Sequence, residues 1–332
     1  MRRIVLIGGG GFFGSAIAEQ LRRRGSELLT PSQHQVDIED GDALRSTLQP
    51  RDVVIDAAGP FHRRTTTLLE VAIKVGFDVI DLSDNLSYTL AVHAMNERLN
   101  AAGVRVLTSC SAVSAVTAAA VHKSAIAEPT RVAVCLLPAS RDSSSAGTAA
   151  SLLRSLSRPI RVLRGGQLMG TTGWSRSRIF SVPGRGTARG YLAESADAVN
   201  LPRVWPSLRD VDFFVDTQAF GMNLLIAAAM RLPVREWLLE GLAPVGLPLA
   251  KVLGSHAGGY VVEVADDRRV VTTALVAQRR SYMAAVLPAT LAARTLAAGT
   301  SPPPGVVPPD RLCDPDELFA ELSKLGIEIR KY

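Results

Sequence analysis

The sequence predicts an α/β protein: an N-terminal parallel sheet with helices on both faces, completed by helices near the C-terminus, around an inserted α+β unit of mixed sheet. Three observations predict it. Strand-length apolar runs alternate with helical patterns through residues 3–108. Such alternation is the mark of a parallel sheet with crossover helices. Near Glu128-Pro129 the pattern turns strand-dominated, and at Tyr282–Ala298 it becomes helical again.

Taken in order, residues 3–7 form a continuous apolar run, as a strand buried on both faces requires. Gly8–Gly14 follows, and Ser15–Arg24 has helical spacing, with Ala16, Ile17 and Leu21 on one face and Gly25 as its stop. Glu27–Thr30 is a second strand and Val53–Ala57 a third, the latter ending in Ala58-Gly59-Pro60-Phe61. Thr66–Val75 is a helix closed by Gly76, Asp78–Leu82 a strand, Thr89–Ala102 a helix closed by Gly103, and Val104–Thr108 a strand. Strand-like runs then occupy Arg131–Leu137, Arg161–Gly165, Trp174–Val182, Val211–Val215, Tyr260–Val264 and Val270–Ala277. Helices are expected at Thr148–Leu156, Phe220–Met230 and Val234–Leu242. Pro302–Pro309 reads as a linker, and Asp316–Leu325 as a last helix. The expected domains are residues 1–125 with 281–332, and residues 126–280 as a substrate or dimerisation domain.

Composition narrows the function classes. Hydrophobic residues make up 47% of the 332 and charged residues 20%, enough for a sizeable core and a soluble surface. The net charge of +6 is dispersed and aromatic residues are 5%, so neither a phosphate track nor a stacking platform for nucleic acid is expected. Three scattered cysteines make a disulfide framework or a paired-cysteine metal knuckle unexpected. The apolar stretches Ala219–Met230 and Leu238–Leu253 fall short of a membrane span or are broken by Pro, and no signal-peptide core follows Met1. The expectation is a cytoplasmic protein with a small-molecule substrate and no metal; the apolar helical pair and tail helix are compatible with a homodimer.

The central motif is Gly8-Gly9-Gly10-Gly11-Phe12-Phe13-Gly14. It satisfies G-x-G-x-x-G through Gly9, Gly11 and Gly14, and G-x-x-G-x-x-G through Gly8, Gly11 and Gly14. Following a strand and opening an amphipathic helix, it has the context of a Rossmann dinucleotide site, where bare amides and a helix N-terminus meet a diphosphate. An NAD site usually carries an acid at the end of the second strand. Here that region reads Leu29-Thr30-Pro31-Ser32-Gln33-His34, so Thr30, Ser32 and His34 could face a 2′-phosphate. NADP is therefore the expected cofactor, with NAD as the alternative. Ala58, Gly59, Pro60 and Phe61, outside a strand's carboxyl end, should border the nicotinamide side.

Gly8–Gly14, Asp56-Ala57-Ala58-Gly59-Pro60-Phe61 and Asp78–Asp84 together resemble the saccharopine dehydrogenase-like oxidoreductases. Gly147-Thr148-Ala149-Ala150-Ser151 and the tail segment Pro304–Pro309 extend the similarity over most of the chain. The resemblance implies NAD(P)-linked hydride transfer to or from a C=N, C=O or C=C group. Two departures bear on the substrate and adenosine ends: Ser109–Ala115 lacks the family's Pro-Gly pair, and the segment between the second and third strands is short. Saccharopine chemistry itself is therefore not carried over.

For a proton donor, Asp84, Tyr88 and Cys110 stand near strand ends, and His62 and Arg63 follow the Gly-Pro-Phe loop. Each has a structural alternative: a helix cap for Asp84, packing for Tyr88, a small buried hydrophobe for Cys110. Arg141, Arg176 and Arg178 could grip a substrate carboxylate, or simply solubilise the surface. No Tyr-x-x-x-Lys pair, G-x-S-x-G or Walker motif is present. The rival function is a Rossmann protein that senses a cofactor or binds a partner without turnover.

Overall fold

The computed structural model describes residues 1–143, 159–219, 221–229, 252 and 254–332. The helices expected at 148–156 and 234–242, the Gly147–Ser151 motif and most of the apolar segment 219–253 lie outside the described residues. Within the latter, Met222–Ala229 is helical as expected. The described strands are numbered β1–β15 in chain order. The chain divides into two units, residues 1–119 with 284–318 and residues 120–283 with 319–332.

The first unit is built on a parallel sheet in the order β14-β5-β4-β3-β1-β2. Its strands are β1 (Ile4–Ile7), β2 (Leu28–Leu29), β3 (Val53–Asp56), β4 (Asp78–Asp81), β5 (Arg105–Leu107) and β14 (Gly305–Val306). Every residue of β1, β3 and β4 is buried, which is why these runs are continuous rather than alternating. Helix α1 (Phe12–Arg23) buries Ala16, Ile17, Ala18 and Leu21, and Arg22 and Arg23 sit favourably at the negative end of its dipole. Helix α3 (Thr67–Val75) stops where Gly76 turns left-handed, with φ +90°.

Several expectations shift. The helix expected at 89–102 is two helices, α4 (Leu86–Ala94) and α5 (Asn96–Ala101), the first capped by Asn85. Helix α2 (Gly41–Thr47) fills the segment before β3; the Asp40 carboxylate caps it by accepting from the amides of Asp42 and Ala43. The linker expected at 302–309 contains β14, paired in parallel with β5.

The second unit carries the mixed sheet. The path β15-β13-β12-β6-β11-β10-β9 comprises β6 (Arg131–Leu137), β9 (Ser177–Val182), β10 (Gly186–Ala193), β11 (Asp210–Val215), β12 (Gly258–Ala265), β13 (Val270–Ala277) and β15 (Glu328–Lys331). β7 (Pro159–Arg164) pairs with β11, and β8 (Gln167–Thr172) with β7. β6 and β11 run parallel, while the other described pairs are antiparallel. Cys135, Phe180, Phe214, Val261 and Ala274 lie in its core. β15 differs from expectation: residues 319–332 group with this unit because Glu328–Lys331 pair with Thr273–Val276.

Candidate functional site

The carboxyl ends of the parallel strands gather the loops that the sequence singled out. After β1 the chain crosses to one side for β2, then to the other for β3. That reversal leaves a crevice outside the ends of β1 and β3, the usual ligand position in open α/β sheets.

The glycines divide the work. Gly8 has φ +81°, and a Cβ there would lie 2.6 Å from the Ala58 amide nitrogen. The turn after β1 therefore closes directly on the loop after β3. A Cβ on Gly14 would lie 2.1 Å from the Gly8 carbonyl oxygen, so Gly14 lets α1 pack against the turn. Gly11 is the N-cap of α1, with no side chain capping the helix and no acid in its first turn. Gly10 is exposed, and a Cβ there would meet nothing within 4 Å. Gly8 and Gly14 thus serve the fold, while Gly10 and Gly11 keep the mouth of the helix clear. Phe12 and Phe13 open α1 with their rings 5.2 Å apart, edge to face.

A Cβ on Gly9 would lie 3.3 Å from the Thr30 side chain, so Thr30 at the end of β2 borders the same turn. Ser32 is engaged locally: its amide and hydroxyl both reach Gln35 Oε1, at 2.8 and 3.1 Å. His34 is exposed in the same turn.

The loop after β3 is organised by an ion pair that the sequence reading missed. Asp56 is fully buried; its Oδ1 accepts from the Ala58 amide at 3.0 Å and from Arg64 at 3.0 Å. Arg64 also donates to the Ala58 carbonyl and to Glu39. Burial pushes the Asp56 carboxyl up, and Arg64 opposes that shift. Gly59-Pro60 is a cis peptide within this loop. Phe61 turns inward: it is 8% exposed, its ring 5.6 Å from that of Tyr88 and 5.8 Å from the Arg64 guanidinium. Gly59 is exposed, while Ala58 and Pro60 are half-buried.

The loops after β4 and β5 are held by Asp81, also missed. It is fully buried, and its Oδ1 accepts from the amides of Ser83 and Ser109, each at 2.9 Å. Burial raises its pKa to about 6, against those same hydrogen bonds. Ser109 and Ser114 bracket the following loop in left-handed conformations, φ +55° and +67°. A sequence signal did exist: β3 and β4 each end on Val-Ile-Asp, and the two acids are paired in register as Asp56 and Asp81.

Of the proposed proton donors, Asp84 is exposed; the cap of α4 falls instead to Asn85, whose Oδ1 accepts from the Tyr88 amide at 2.9 Å. Tyr88 is 3% exposed, and burial with the nearby carboxylates Asp81 and Asp56 pushes its phenol well up. That makes it a packing residue and a poor acid. Cys110 is fully buried, with its thiol likewise raised by burial. His62 is half-buried on a short turn and Arg63 exposed. In the second unit, Arg178 is paired with Glu263 and lies over the Phe180 ring, which spends its charge internally. Arg141 donates to the Val252 carbonyl at 3.0 Å, and Arg176 is exposed.

Comparison with known proteins finds similarity in the dinucleotide-binding region and in the fold. Residues 29–107 match the family model of the saccharopine dehydrogenase NADP binding domain. No curated protein matches the chain by sequence. Apo saccharopine dehydrogenase (L-Glu forming) from Saccharomyces cerevisiae is similar in structure, at TM-score 0.63 and 14% identity over 100% of this chain and 99% of that one. DAP dehydrogenase of C. glutamicum in complex with DAP aligns at TM-score 0.43 and 14% identity, over 96% and 98%. An engineered D-amino acid dehydrogenase bound to NADP+ aligns at TM-score 0.42 and 15% identity, also over 96% and 98%.

Proposed function

We propose that this chain, saccharopine dehydrogenase-like in its dinucleotide-binding region and in its fold, is an oxidoreductase that uses NADP. The observation that carries the proposal is the glycine turn at the sheet reversal: bare at Gly10, uncapped at Gly11, and walled by Thr30 and Ala58. A bulky side chain is missing where a diphosphate would approach, and α1 directs its positive end there. When bound, the nicotinamide supplies the hydride. The chain's own residues hold and orient it. The turn amides around Gly10 and at the start of α1 would bind the diphosphate, while the Gly11 amide closes the turn by donating to the Gly8 carbonyl at 2.9 Å. Thr30 and the exposed His34 would face the ribose and its phosphate, in a stretch with no acid between Thr30 and Val36. Ala58 and Gly59, fixed by the Asp56–Arg64 pair, and the loop after β5, fixed by Asp81, would border the reacting ring.

The substrate is a small molecule with a C=N, C=O or C=C group, and the second unit is the substrate or dimerisation domain. The similarity of residues 29–107 to an NADP binding domain supports NADP over NAD. A thermal-shift comparison tests this directly, because a ligand bound only by the native state raises its melting temperature. NADPH is expected to raise it more than NADH at equal concentration, and no shift with either removes the reading. A sensor without turnover would show the same shift yet never oxidise NADPH with imine, ketone or enoyl substrates.

A further inference from the structure

The second unit carries a polar cluster that the sequence reading passed over. β6 and β11 are its parallel pair. The loops after them, residues 138–143 and 216–219, meet the segment 254–257 that leads into β12. Gln218 ties the three together: its side-chain amide donates to the Pro138 carbonyl at 2.8 Å and to the Ala257 carbonyl at 3.0 Å, from a left-handed backbone at φ +53°. The Arg141 amide donates to the Ser255 carbonyl at 3.1 Å, and the Ser255 amide to the Ser140 hydroxyl at 3.1 Å. The backbone under residues 140–142 and 255–256 is therefore fixed from both sides. His256 and Asp142, 114 positions apart, meet on it: His256 Nδ1 lies 2.7 Å from Asp142 Oδ1. A carboxylate only accepts, so Nδ1 carries the proton and Nε2 is left as the acceptor. Arg141 sets its Nη1 3.5 Å from that Nε2, longer than a well-made hydrogen bond, while its Nη2 donates to the Val252 carbonyl at 3.0 Å. The His256 side chain is 52% exposed, so a small molecule can reach the pair.

We propose that Arg141 and His256 form a binding site for a small 2-hydroxy or 2-oxo acid, with Asp142 as the positioning residue. The guanidinium takes the carboxylate, to which its planar fork is matched. His256 Nε2 accepts from the neighbouring hydroxyl of the hydroxy acid and, once protonated, donates to the carbonyl oxygen of the oxo acid. Adjacent oxygens of one such molecule can bridge the gap between the two side chains, one on each. Asp142 holds the imidazole by Nδ1, so that Nε2 is the atom presented. An amino acid fits less well. Its ammonium would face a guanidinium, and the two acids of these loops are engaged, Asp142 by His256 and Asp216 by the Gln218 amide and the Asn223 side chain. That this acid is what the nicotinamide reduces or oxidises rests on the function proposed above, whereas its binding does not.

The test titrates the full chain, labelled with ¹⁵N at its five histidines, with L-lactate, pyruvate, L-alanine and acetate, and follows the imidazoles by NMR. His256→Gln identifies the His256 signals. Lactate and pyruvate are expected to move those signals to saturation, with alanine and acetate binding about tenfold more weakly or less, as the loss of one charge-assisted bond implies. Arg141→Gln is expected to weaken lactate by about tenfold, and Arg141→Lys, which keeps the charge, to recover part of it. Asp142→Ala is expected to release the tautomer, seen in the free protein as proton shifting toward Nε2. Unmoved signals from the other histidines report that each variant is folded. His256 signals that stay still at the highest soluble lactate and pyruvate, alanine or acetate binding as tightly as lactate, or lactate affinity unchanged in Arg141→Gln would each overturn the proposal. The NADPH melting shift is a separate measurement: its absence counts against the cofactor, while the lactate titration alone decides this site.

Discussion

Gly14 and Gly10 are the same residue type doing different physical work. At Gly14 a methyl group would sit 2.1 Å from a backbone oxygen, so Gly14→Ala forces α1 off the turn. The expected loss is about 1–3 kcal/mol of stability, read by chemical denaturation. At Gly10 a side chain finds open space. Gly10→Asp is therefore expected to leave the melting temperature of the free protein within about a degree, at the small cost typical of surface changes, and to abolish the NADPH-induced shift by setting a carboxylate against the diphosphate. Asp81 makes a prediction in pH. Its folded pKa of about 6 lies above the ordinary value, so the folded state binds its proton more tightly. That contribution is full below about pH 4 and lost as pH rises through about 6, a change of up to about 3 kcal/mol. Denaturation at pH 4 and pH 7 is expected to show Asp81→Asn gaining on the parent as pH rises, because the variant has no carboxylate to desolvate while keeping an acceptor for Ser83 and Ser109.

At the scale of elements, the capping of α4 separates two neighbours that sequence alone leaves equivalent. Asn85→Ala removes the acceptor of the Tyr88 amide and is expected to cost about 1 kcal/mol, read by chemical denaturation. The elements legible in the sequence were those whose residues carry their own reason. β1 with its glycine turn, α3 with its Gly76 stop, and β6 and β13, whose bounds match the expected ones, all belong here. Those that escaped take their reason from elsewhere. β14 is two residues inside a proline-rich stretch and exists because β5 offers it a ladder. β8 shows an almost wholly exposed face, so it has no apolar alternation to read. The site was legible to a similar degree. The glycine turn was visible, but the Arg64–Glu39 and Asp81–Ser109 contacts join residues 25 and 28 positions apart. Phe61, expected to border the nicotinamide, and Tyr88, a candidate proton donor, pack against each other.

On the scale of the whole molecule, β15 is the edge of the second sheet, paired with β13 through Val276↔Glu328 and its neighbours. The amide of Thr272 reaches the Tyr332 carbonyl at 2.8 Å, and the Tyr332 hydroxyl donates to the Ser181 carbonyl at 2.8 Å. A chain ending at Leu325 is expected to melt at a lower temperature and to become cleavable by protease within residues 270–277. An unchanged melting temperature would mean that this strand adds little.

The chain passes between its two units near residues 119, 283 and 318. On a ribosome, the N-terminal Rossmann sheet emerges first yet lacks β14 and the Met283–Ala297 helix until the inserted unit has been made. The inserted unit, made in between, likewise waits for its edge strand. The first unit therefore has all of its sheet only once residue 306 has been made, and the second only once residue 331 has, so the two are completed late and in close succession.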